Sequence, residues 1–79
     1  MYVKVIYYKE LAKGYTGREY TYKAPDELGL NQGDEVLVPV AAEKELKRAM
    51  VTEVNVPETE IDPAWADKLK TITRSYIPA

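Results

Sequence analysis

The chain has 79 residues, a net charge of −2 at pH 7 and an apolar fraction of 46 %. This length predicts a single small domain that spans residues 1–79 and has one modest hydrophobic core. The apolar fraction argues against intrinsic disorder. The sequence contains no Cys and no His. Disulfides and thiolate chemistry are therefore excluded, and the commonest general base and zinc ligand are missing.

The N-terminal sequence gives no sign of export. It lacks the basic region and long apolar run of a signal peptide, and no apolar stretch approaches the ~20 residues that a membrane span needs. We therefore expect a soluble, cytoplasmic protein with no membrane partner. The charge is unevenly distributed, because the first 23 residues are rich in Lys whereas residues 53–67 carry only acidic charges.

The first half of the chain predicts three strands. Residues 2–8 carry β-branched and aromatic side chains on both faces, which is typical of a central or doubly covered strand. A polar loop over residues 9–17 follows. Residues 18–24 alternate between apolar and polar types and end at Pro25, which cannot donate to a ladder. A third strand over residues 35–40 points alternate valines inward.

The second half predicts a hairpin loop, two more strands and a short helix. Residues 41–47 are interpreted as the loop, and residues 48–56 as the fourth strand. Asp62 is a suitable N-cap and Pro63 suits the first position of a short helix. Residues 69–74 form a short fifth strand. The predicted fold is mainly β, with five antiparallel strands in meander order that make a small curled sheet or a partly open barrel.

The sequence carries no pattern typical of catalysis. The four glycines do not have the spacing of a phosphate-binding loop, and Ser75 has no histidine base to activate it. Pairs of carboxylates lie in predicted loops, where solvation explains them better than a hydrolytic role. We expect no enzyme activity, no cofactor and no metal site.

Binding is the class of function that remains. Aromatic rings can stack on the bases of a single strand while lysines contact its phosphates. The basic N-terminal residues Lys4, Lys9 and Lys13 lie among tyrosines and could form such a surface. The alternative is that most of the tyrosines are core or rim residues that stabilise a thin sheet.

Three short motifs resemble a known domain. Tyr20-Thr21-Tyr22 precedes Pro25, and the segment from Gly33 to Pro39 has the sequence Gly-Asp-Glu-Val-Leu-Val-Pro. A valine-rich strand and a Leu-Lys pair at residues 69–70 follow. This series resembles the N-terminal DNA-binding domain of the primosomal replication-restart helicase PriA (primosomal protein N′), over roughly residues 2–72.

The resemblance implies a binding pocket for the 3′ end of a DNA strand. In that family the pocket uses an aromatic residue, the Asp after it, a Gly and a Lys. By position these are Tyr20, Thr21, Ala41 and Lys70, so the family's Asp and Gly are replaced here. The chain ends before any helicase motor, so the resemblance implies a free-standing primosome-related protein encoded by a phage or prophage.

Two functions follow from these observations, with an enzyme subunit as a third and least favoured interpretation. The first is a DNA-replication-associated protein that binds single-stranded DNA or a 3′ DNA end through Tyr20, Thr21, Ala41 and Lys70, together with the N-terminal lysines. The alternative is a phage or prophage interaction module that keeps the fold without the DNA pocket and binds a replication or phage protein through a strand edge. The oligomeric state is not predicted.

Overall fold

A computed structural model describes residues 1–39, 46–66, 68–72 and 74–75. The chain is mainly β. The strands are β1 (Tyr2–Lys9), β2 (Gly14–Lys23), β3 (Glu35–Pro39), β4 (Leu46–Glu53) and β5 (Arg74–Ser75). A four-residue helical turn, α1 (Pro63–Ala66), and two 3₁₀ turns, Asp26–Leu28 and Glu58–Glu60, lie in the connections.

The prediction of a mainly β, antiparallel sheet is confirmed, but its details were partly wrong. Four strands of at least five residues make an open sheet, and β5 adds only a two-residue edge. The predicted helix is a single turn. The described residues form no closed barrel. The strand order is β2-β1-β4-β3-β5, so the predicted meander order was also wrong. β1 is an interior strand, paired with β2 on one side and β4 on the other, but only the face that carries Val3 and Val5 has fully buried side chains.

The boundaries of β2 and β4 also differ from the sequence prediction. β2 begins at Gly14 rather than Arg18, because residues 16–18 form a bulge opposite Tyr7 and the strand continues past it. Gly17 adopts φ +102° in this bulge, a conformation that a glycine accepts at little cost. β4 begins at Leu46, within the predicted loop, and ends at Glu53. Residues 40–45, with the predicted inward Val40, lie outside the described residues.

The core covers one face of the sheet. Its interior consists of valines from neighbouring strands, and Ala24, Leu30 and Ile72 from the connecting segments close it. The fully buried members with the largest side chains are Ile72, Val3, Val5, Val36, Val38 and Val51. The inward placement of Val36 and Val38 confirms the alternation predicted for β3. We call this side of the sheet the inner face.

The segment after α1 attaches to both edges of the sheet. The Lys23 N–H donates to the Lys70 carbonyl at 2.9 Å, and the Ile72 N–H donates to the Lys23 carbonyl at 2.8 Å. This pairing is a single parallel bridge between Lys23 and Thr71. Further along, β5 pairs with Val36 and Leu37 of β3. The segment therefore lies beside β2 with a fixed register, which positions the candidate site.

Candidate nucleic-acid interface

Three tyrosines form a cluster at one end of the inner face. Tyr20 and Tyr22 share a face of β2 because they are two residues apart, and Tyr20 lies opposite Val5 of β1. Tyr7, two residues beyond Val5, therefore points to the same side. The Tyr7 and Tyr20 rings are stacked, with centroids 4.7 Å apart and planes inclined by 20°. The Tyr20 side chain is 41 % exposed.

Hydrogen bonds fix the inner part of this cluster. The Tyr22 hydroxyl donates to the Pro39 carbonyl at 3.1 Å and lies 2.6 Å from the Tyr7 hydroxyl. Since Tyr22 has one proton to donate, Tyr7 donates to Tyr22. Burial, reinforced by the hydrogen bond with Tyr7, raises the pKa of the Tyr22 hydroxyl well above its usual value. Tyr22 is thus a neutral anchor, and its bond with Tyr7 holds the ring that supports Tyr20.

A shallow cleft of about 360 Å³ separates β2 from the segment after α1. Its lining comes from four successive β2 residues and three residues of that segment: Glu19, Tyr20, Thr21, Tyr22, Lys68, Leu69 and Lys70. On the other side of the tyrosine stack, the Lys47 ammonium lies 5.3 Å from the Tyr7 ring centroid. The cleft therefore presents an exposed aromatic ring with ammonium groups on both sides.

The six predicted site residues that the structure describes fall into three groups. Tyr20, Thr21 and Lys70 line the same cleft. Lys4 lies directly opposite Thr21, on the face of the sheet opposite Tyr20. Lys9 and Lys13 are exposed at the β1–β2 turn, at the far end of the hairpin from Lys23, and are not brought to the cleft.

Ala41, the predicted glycine-equivalent position, lies outside the described residues. Sequence reasoning did not identify Tyr7, Lys47 or Lys68 as site residues. Tyr7 carries the same alternation signal as Val3 and Val5, which would have placed it on the inner face. Lys47 could not be placed by strand alternation, because residues 41–47 were interpreted as a loop.

The described part of the chain contains no group of three or more Asp, Glu, His or Cys side chains that could hold a metal ion. Among the same residues, no helix has the length and apolar character required to cross a bilayer.

Comparisons with known proteins add no relative. No protein-family profile, curated protein or solved structure matches this chain.

Proposed function

We propose that this chain binds single-stranded DNA in the cleft between β2 and residues 68–70. The observation that supports this most directly is the exposed Tyr20 ring, stacked on Tyr7 at 4.7 Å and facing a cleft that Lys70 also lines. A base stacking on an aromatic ring contributes about 1–3 kcal/mol. Tyr20 is held in place from behind, so little side-chain freedom would be lost on binding.

The charges around the cleft suit a short stretch of phosphate backbone. Lys70 and Lys68 line one side, Lys47 lies beyond the Tyr7 ring, and Glu19 is the acidic residue of the lining. The net charge of −2 provides no long-range attraction to DNA. Binding should therefore be local and weak, with roughly two phosphate contacts and a salt dependence of log Kd with slope ~1.4 for a single strand.

The resemblance to the PriA domain supports a preference for a 3′ end and a role in DNA replication. Thr21 occupies the position of the family's Asp and lines the cleft at the edge of β2, although its side chain lies on the sheet face of Lys4 rather than on that of Tyr20. A threonine hydroxyl can accept a hydrogen bond from a 3′-hydroxyl, as a carboxylate does, but without the added strength of a charged acceptor. We therefore expect a 3′ preference that is smaller than an Asp would give.

Fluorescence anisotropy with labelled oligothymidylates tests this proposal. Titrations would compare 3′-hydroxyl and 3′-phosphate ends at 50 and 200 mM salt, where two phosphate contacts predict a loss in affinity of about sevenfold. Tyr20→Leu should weaken binding about fivefold or more, since the stacking ring is lost, whereas Tyr20→Trp should retain it. Lys70→Ala should weaken binding and lower the salt slope by about 0.7.

Arg18→Ala is the matched control, because Arg18 is exposed on β2 and does not line the cleft. Binding that responds equally to Tyr20→Leu and Arg18→Ala, or an absence of binding at 50 mM salt, would contradict the proposal.

One observation favours the alternative of an interaction module. The N–H and carbonyl of Lys23 point away from β1, toward residues 70–72. Since the hydrogen-bonding direction alternates along an antiparallel strand, the amides of Glu19 and Thr21 also point away from β1, into the cleft. An extended segment of a replication or phage protein could add to β2 there. In the titrations above, a chain of this kind would not bind DNA at either salt concentration.

A further inference from the structure

A second concave surface lies at the opposite end of β2 from Lys23. This surface, which we call the outer groove, has a volume of about 600 Å³ and extends from the β1–β2 turn across β4 to β3. Its principal side chains are Tyr8, Lys9, Leu11, Leu37, Leu46 and Arg48. Neither Tyr20 nor Lys70 lines it, and Lys47, which lies beside the Tyr7 ring, is the residue that it shares with the surroundings of the DNA cleft.

The outer groove is where the chain exposes its leucines. Among the described residues, three large apolar side chains are exposed: Leu11 at 104 %, Tyr20 at 41 % and Leu46 at 38 %. Tyr20 belongs to the DNA cleft, and both leucines line the outer groove. Leu37, which is half-buried, lines the groove as well. Scattered apolar side chains need no explanation, but leucines that converge on one concave surface indicate a contact with another molecule.

One wall of the groove is pre-organised. The Arg48 guanidinium carbon lies 4.5 Å from the Tyr8 ring centroid. An Arg48 terminal nitrogen donates to a Glu35 carboxylate oxygen at 2.6 Å, and Nε donates to the Tyr15 hydroxyl at 3.1 Å. Tyr15 also donates to the same carboxylate oxygen. Arginine and tyrosine side chains fixed in this way lose little freedom when a partner docks, and both types are enriched among the residues that dominate binding energy.

The net positive charge of the groove lining favours a partner that carries acidic residues. Lys9 and Lys47 outnumber the acidic Glu10 in its lining, whereas the charge of Arg48 is already paired with Glu35. We propose that the outer groove docks a short segment of a partner protein that carries apolar side chains flanked by Asp or Glu. The leucines would receive the apolar side chains, and the basic residues would attract the carboxylates. A nucleic acid fits less well, because the leucines offer neither a stacking face nor a hydrogen bond to a base, and Arg48 already covers one face of the Tyr8 ring.

Selection from a phage-displayed library of random dodecapeptides on the immobilised full chain tests this inference. We expect enriched sequences in which Leu, Ile, Met or Phe neighbours Asp or Glu. Synthetic, fluorescein-labelled copies should bind the chain, and Leu11→Ser and Lys9→Glu should each weaken that binding by about fivefold or more. Leu11 is fully exposed in a turn, so its replacement leaves the fold intact, which circular dichroism would verify.

Ala12→Ser and Arg18→Glu are the matched controls, because both residues are exposed, Ala12 in the turn and Arg18 on β2, and neither lines the groove. Both should leave peptide affinity within about twofold. The inference is overturned by a lack of enrichment over bare matrix, by enriched sequences without acidic residues, or by equal binding to Leu11→Ser. It is also overturned if oligothymidylate competes with the labelled peptide and Lys9→Glu weakens the binding of both. That result would identify the groove as a nucleic-acid surface instead. DNA binding by the cleft is measured separately, so the two proposals can fail independently.

Discussion

Replacing Ile72 tests whether the segment that carries Lys70 is packed onto the sheet. Ile72 has 0 % exposure within the core, and its N–H donates to Lys23 at 2.8 Å. Ile72→Ala removes three methyl or methylene carbons from a site whose walls are buried strand residues. We expect a loss of about 2–5 kcal/mol in the free energy of unfolding. For 79 residues the total is of the order of 4–12 kcal/mol, so the loss is a large fraction of it.

Urea denaturation followed by circular dichroism measures this loss. With a slope near 1 kcal/mol per molar urea, typical of a small domain, the midpoint should fall by at least ~2 M. Ile72→Val should cost about 0.5–1.5 kcal/mol. Thr71→Ala is the control, since Thr71 is exposed and its replacement should change stability by less than ~0.5 kcal/mol. A loss for Ile72→Ala no larger than that of Thr71→Ala would refute the packing of this segment, and with it the placement of Lys70 beside Tyr20.

Two further predictions concern polar contacts of the sheet. Tyr22→Phe removes a hydroxyl that is hydrogen-bonded to both Tyr7 and Pro39, and it should lower the free energy of unfolding by about 1–3 kcal/mol in urea titrations. Tyr20→Phe is the control, because its side chain is exposed, and it should change that free energy by less than ~0.5 kcal/mol. Equal effects of the two substitutions would contradict the hydrogen bonds assigned to Tyr22. Hydrogen bonds from Tyr15, and to a smaller extent from Arg48, lower the pKa of the Glu35 carboxyl below its usual 4.5. The charged carboxylate therefore stabilises the fold above pH 4.5, and this contribution is lost as the pH falls through the lowered pKa. In thermal melts between pH 3 and 7, Glu35→Gln should therefore show a smaller loss of stability toward acid than the parent chain, and parallel curves would contradict this.

Alternation within single strands was the part of the fold that the sequence predicted best. The buried Val36 and Val38, and the shared face of Tyr20 and Tyr22, follow from a period of two residues. This is a local property that needs no knowledge of neighbouring strands. The same alternation places Tyr7 with Val5, yet only the pairing of β1 with β2 brings the Tyr7 ring onto Tyr20.

Pairing between distant segments was harder to predict. The position of β1 between β2 and β4 depends on contacts between residues about 45 positions apart, such as Val5 with Val51, and local patterns do not encode them. The bulge at Gly17 was interpreted as part of a loop, because glycine in a strand and glycine in a turn give the same local signal.

The candidate site could be predicted from the sequence only in part. The resemblance to the PriA domain placed Tyr20 and Lys70 in one predicted pocket, and in the structure both residues line one cleft. Lys9 and Lys13 were assigned from charge alone, which gives no information about position. Lys47 was missed because its strand begins two residues earlier than predicted.

Two-dimensional ¹⁵N–¹H NMR of the full chain, titrated with a 3′-hydroxyl oligothymidylate at 50 mM salt, tests the proposed DNA cleft most directly. We predict progressive shifts of the amide signals of residues 19–22, 47 and 68–70, with the signals of residues 9–13 unchanged. The proposal is contradicted if the oligonucleotide moves no signal, or if the largest shifts lie at the β1–β2 turn instead of around Tyr20.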